Sequence, residues 1–143
     1  MTTAHQASSD LVTTPEPAVT ARYVVWAAVA LALLAALSYL LINAGVLAVG
    51  DVPREAGSLT IATIAAGCYF LGGLLILLRR RWLWIIGLVM NTLVLLFYFQ
   101  MYQNRPTVIA SPGGLATKIA QILLEVCLIY LIIEDWRKAH RSF

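Results

Sequence analysis

The chain has 143 residues, 61% of them hydrophobic and 12% charged, with a net charge of +3 and a mean hydropathy of +0.84. A soluble domain averages about 45–50% apolar and about 25% charged residues, so this chain has too little charge to cover a water-facing surface. The basic balance does not point to nucleic acid. Lys and Arg sit at the ends of apolar stretches, with no basic patch interleaved with exposed aromatics.

Residues 1–21 are rich in Thr, Ser, Ala and Pro and contain almost no large apolar side chain. They read as a disordered tail. The apolar run that follows is too long for a signal-peptide core of about 7–15 residues and lacks a convincing cleavage site. No lipidation motif is expected either, since Thr2 stands where a myristoylated chain needs glycine and the C-terminus is not a CaaX box.

Four spans follow, at about 23–49, 58–78, 82–103 and 115–136. Together, residues 22–143 make one membrane domain. In the first span Ala28, Ala32, Ala35, Tyr39 and Asn43 recur at helical spacing, giving a face that is small and then polar. A short polar loop, Asp51 to Gly57, leads to the second span. There Thr60, Thr63 and Gly67 form one small face and Ala62, Ala66, Tyr69 and Gly73 another, which predicts a helix wedged between two neighbours. Arg79, Arg80 and Arg81 make a basic turn, followed by the interfacial Trp82 and Trp84. In the third span Gly87, Asn91, Tyr98 and Tyr102 share a face, with Gln100 and Gln103 near its end. The connection Asn104 to Gly114 contains Pro106, Pro112 and a glycine pair, which break a helix. Ser111–Pro112 is a possible start for the last span, but the glycines favour an entry near Leu115. The apolar run Thr107 to Ala110 suits the membrane surface or a cap over the bundle.

The orientation follows from the basic residues. Arg22, Arg79, Arg80, Arg81, Arg137, Lys138 and Arg141 fall on one side, against Arg54, Arg105 and Lys118 on the other. The positive-inside rule then predicts cytoplasmic termini in a plasma membrane. Short connections between four spans predict an all-α integral membrane protein, an antiparallel four-helix transmembrane bundle with a disordered N-terminal tail.

Glu125 lies near the middle of the last span, with Gln121 four residues and Lys118 seven residues before it on the same helix face. Lys118 is about 10 Å from Glu125 along the axis and has a choice of reaching inward or outward. Asn91 falls at a depth comparable to Glu125. Tyr39, Asn43 and Tyr98 lie in the same half of the membrane as Lys118 and Gln121. A charge at the bilayer centre costs on the order of 2.5–3.5 kcal/mol, so Glu125 should face the interior, either neutral or ionised with polar help.

These residues predict an outward-open polar pocket floored by Glu125. Its ligand-binding set is Glu125, Gln121, Lys118, Asn91, Tyr98, Tyr39 and Asn43. The expected function is binding or carriage of a small apolar or amphipathic ligand. Alternatives are a non-catalytic accessory or structural subunit of a larger membrane complex, and a proton-coupled small transporter acting as a dimer. Expected partners are the lipid bilayer, anionic lipid headgroups at Arg79, Arg80 and Arg81, and a homodimer or larger membrane complex. No catalytic, phosphate-cradling or metal-ligating motif is present in the sequence, so neither enzyme activity nor a cofactor is expected. Cys68 and Cys127 show no CxxC spacing and read as small core residues at similar depth.

Overall fold

The computed structural model describes residues 17–50 and 56–141. Its helices are α1 (Pro17–Ala44), α2 (Ala56–Leu77), α3 (Arg81–Tyr102), α4 (Pro106–Ile109) and α5 (Pro112–Arg141). All but α4 are long and apolar enough to cross a bilayer, which needs about 20 residues at 1.5 Å each. Large apolar side chains such as Ile61, Phe70, Met90, Phe97 and Val126 point outward. That belt would be untenable in water and is suited to lipid. The fold is an all-α membrane bundle.

The helix ends differ from the sequence reading in ways that local chemistry explains. α1 begins at Pro17, so residues 17–21 are helical where a disordered tail was expected; residues 1–16 lie outside the described residues. Proline suits a first turn, whose N–H groups have no helical partner. α1 stops at Ala44, short of residue 49, because Gly45 adopts φ 79°. The Gly45 N–H donates to the Ile42 carbonyl at 3.0 Å and the Val46 N–H to that of Leu41 at 2.9 Å, a glycine-dependent helix stop.

α5 begins at Pro112, not near Leu115. The Ser111 hydroxyl accepts from the Gly114 N–H at 3.1 Å, with proline in the first helical position. The cap therefore overrides the glycine pair. Those glycines serve a close approach instead. The Gly113 N–H donates to the Ala48 carbonyl at 3.1 Å, and a Cβ on Gly114 would meet the Val108 carbonyl at 2.5 Å. α4 folds over this end of the bundle with Val108 fully buried. The run Thr107 to Ala110 is thus a cap.

At the opposite end α2 turns into α3 through Arg79, whose φ of 50° is left-handed. That conformation costs a non-glycine residue about 1–2 kcal/mol. The indole of Trp84 donates to the Ile76 carbonyl at 3.3 Å, satisfying an acceptor at the end of α2.

In cross-section the helices run α2, α1, α5, α3, with sparse contact between α2 and α3. Of their membrane-spanning windows, 39% is buried for α1 and for α5, but 11% for α3. α1 and α5 are therefore the spine, and α2 and α3 flank it. The alanine face of α1 makes this possible: Ala28, Ala32 and Ala35 are buried to 1% exposure or less. A Cβ on Gly73 would sit 3.4 Å from that of Ala32, so the two backbones pass closely. α2 buries only one of its two small faces. Ala62, Ala66 and Tyr69 face inward, whereas Thr60, Thr63 and Gly67 are exposed. The expectation of a wedged helix is corrected: α2 lies at an edge, and a Cβ on Gly67 would meet nothing within 4 Å. Cys68 is likewise exposed, which corrects its reading as a core residue, whereas Cys127 is half-buried and packs against the core; both are free thiols.

Candidate functional site

The polar side chains of the four long helices converge on Gln121. This residue is fully buried on α5. Its carbonyl Oε1 accepts from Lys118 Nζ at 2.7 Å. Its Nε2 donates to the hydroxyl of Tyr39 on α1 at 3.1 Å and to that of Tyr69 on α2 at 2.5 Å. The two tyrosine rings stack with centroids 5.8 Å apart. The Tyr69 hydroxyl donates to Asn91 Oδ1 on α3 at 2.8 Å. Asn91 Nδ2 donates to the Gln121 backbone carbonyl at 3.0 Å and also to Glu125 Oε2. The other oxygen of Glu125 is within hydrogen-bond reach of the Thr92 hydroxyl, whose single hydrogen can go instead to the Leu88 carbonyl at 2.9 Å.

Lysine sets the sense of this chain. An ammonium only donates, so Gln121 must present its oxygen to Lys118 and its nitrogen to the tyrosines. Tyr69 accepts there and donates onward, so Asn91 turns its nitrogen to Glu125. Every hydrogen bond between Lys118 and Glu125 therefore points from the cation toward the carboxyl. Such alignment couples the two ends electrostatically in a low-dielectric interior. Two amide side chains lie along the path, and an amide N–H is not readily released. The arrangement transmits polarity; it is not a continuous proton wire.

Lys118 reaches inward. It is 6% exposed, and its ammonium lies 3.9 Å from the centroid of the Tyr98 ring, a favourable cation–π placement. The Tyr98 hydroxyl in turn donates to the Val108 carbonyl at 3.3 Å, tying the site to the α4 cap. Glu125 is half-buried. The structure thus brings together Lys118, Gln121, Glu125, Asn91, Tyr39 and Tyr98. Asn43 stands apart, donating to the Thr63 hydroxyl at 3.0 Å across α1 and α2.

The expected outward opening is also corrected. Val108 and the helix start at Ser111–Gly114 cover that end, and no buried side-chain nitrogen or oxygen among the described residues lacks a partner. Two shallow hollows lie at the arginine-rich end. Sequence reasoning missed Tyr69 and Thr92 as members of the site. Tyr69 was hidden in a stripe of small residues, and Thr92 was passed over beside Asn91. A tyrosine amid alanines and glycines, and an adjacent Asn–Thr pair in mid-span, were the available signals. Among the described residues no group of three or more His, Cys, Asp or Glu side chains is placed to hold a metal ion.

No family model matches the chain, and no similar curated protein or solved structure was found.

Proposed function

We propose that the Lys118–Glu125 network is the polar recognition centre for a small amphipathic ligand that reaches it from the lipid phase. The protein would act in binding or carriage, without catalysis. The observation that supports this reading is an ionisable pair kept inside an apolar four-helix bundle, with its carboxyl only half-buried. Intramembrane ionisable residues are expensive and mark binding paths. The sparse contact between α2 and α3 offers a lateral way in that the capped end does not. The excess of Lys and Arg at the arginine-rich end supports a cytoplasmic position for it in this reading, with the plasma membrane as the proposed location. Mass spectrometry of the protein in native lipid particles tests it. Wild type should retain an amphipathic molecule that Glu125→Gln and Lys118→Met both lose. Identical bulk lipid from all three proteins would overturn the proposal.

A second reading is an accessory or structural membrane subunit. The observation favouring it is that the network's buried polar atoms all find partners within this chain. It expects a stoichiometric protein partner after mild solubilisation, retained by Glu125→Gln; a lone monomer would exclude it.

A further inference from the structure

The arginine-rich end holds a second set of charged residues that the interior network does not use. Asp135 is engaged by Arg81, with Nε 3.7 Å from Oδ2. The Arg81 guanidinium also lies 4.9 Å from the centroid of the Trp136 ring. Glu134 is engaged by Lys138 at 3.9 Å. Both acids thus already have basic partners. Arg22 on α1 and Arg79 in the α2–α3 turn form no ion pair among the described residues and are exposed. They line one hollow of about 310 Å³, together with Glu134, Asp135 and Lys138. Its apolar floor is Val25, Trp84 and Leu131, all buried. Arg79 reaches this hollow from the tight turn, where its backbone is left-handed.

We propose that this hollow binds the phosphate of an anionic phospholipid headgroup, with Arg22 and Arg79 as its charged contacts. Two arginines without acidic partners, drawn from separate elements above an apolar floor, complement a phosphate that carries a lipid tail. Arginine is suited to this because its planar fork matches phosphate oxygens. The site is narrower than the Arg79–Arg81 run: Arg81 is occupied by Asp135 and Trp136, and Arg80 does not line the hollow. The inference is independent of the interior network.

The test uses the full chain in neutral detergent, titrated with short-chain phosphatidylglycerol, short-chain phosphatidylcholine and inorganic phosphate. Arg79→Asn is the suitable neutral variant, since asparagine tolerates positive φ. A basic side chain near a lipid surface contributes about fivefold in affinity. Phosphatidylglycerol affinity should therefore fall about fivefold in Arg22→Gln and about twenty-fivefold in Arg22→Gln/Arg79→Asn, while Arg80→Gln stays near wild type. Phosphatidylcholine and inorganic phosphate should bind more weakly than phosphatidylglycerol. A double variant that binds like wild type would overturn the site. So would an equal loss in Arg80→Gln, which would mean diffuse attraction, or inorganic phosphate binding as tightly as the lipid, which would mean a free-anion site. If the double variant does not fold, the Arg22→Gln result decides.

Discussion

The two ends of the bundle handle polarity in opposite ways. Under α4, polar groups turn inward: Lys118, Gln121 and Tyr39 satisfy one another, and Tyr98 ties them to the cap. At the arginine-rich end polarity turns outward, and Arg22 and Arg79 are left exposed. The difference follows from the connections. The α3–α5 link is long enough to fold a short helix back over the core. The α2–α3 turn is so tight that its arginines have no interior to enter. A buried polar set stabilises only if it is complete, whereas interfacial charges can rely on water and lipid.

This contrast predicts unequal sensitivity to substitution, measured as thermal unfolding in detergent. The largest effect should come from Gly114→Ala, whose new Cβ would press on the Val108 carbonyl and the Tyr98 hydroxyl; such overpacking costs about 2–3 kcal/mol. Gly67→Ala, facing open space, is its control and should lose nothing, with a gain of about 0.4–1 kcal/mol expected. Equal losses at the two glycines would mean that the cap is not tightly packed. Next comes Gln121→Leu, which strips the acceptor from buried Lys118 and the donor from both tyrosines; a loss of about 2 kcal/mol is expected. A neutral result there would reduce the network to incidental contacts. Ser111→Ala removes the α5 cap and should cost about 1 kcal/mol. The smallest effect belongs to the arginine-rich end. Arg81→Gln loses a partly exposed ion pair and a ring contact, about 0.5 kcal/mol. A larger loss there than at Gln121 would invert the comparison.

The spans were legible because hydropathy over about 20 residues is a strong signal. Their ends were less so, since caps such as Gly45 and Ser111 act through one or two bonds that compete with neighbouring glycines and prolines. Most of the site was legible too. Helical spacing places Lys118, Gln121 and Glu125 on one face, and depth brings Asn91 level with Glu125. Depth says nothing about direction around the axis, which is why Asn43 was assigned to the site although it pairs with Thr63. Nor can polar composition distinguish a water-filled pocket from side chains that bond to one another. That distinction depends on α4 folding over the bundle, a tertiary event.

Thr92 carries a single hydroxyl hydrogen, yet two acceptors compete for it: the Leu88 carbonyl and Glu125. The hydroxyl can serve only one of them at a time, so this one side chain is shared between its own helix and α5. Replacing Thr92 with valine would keep its shape and leave Asn91 to make the mid-span hydrogen bonds between α3 and α5 by itself.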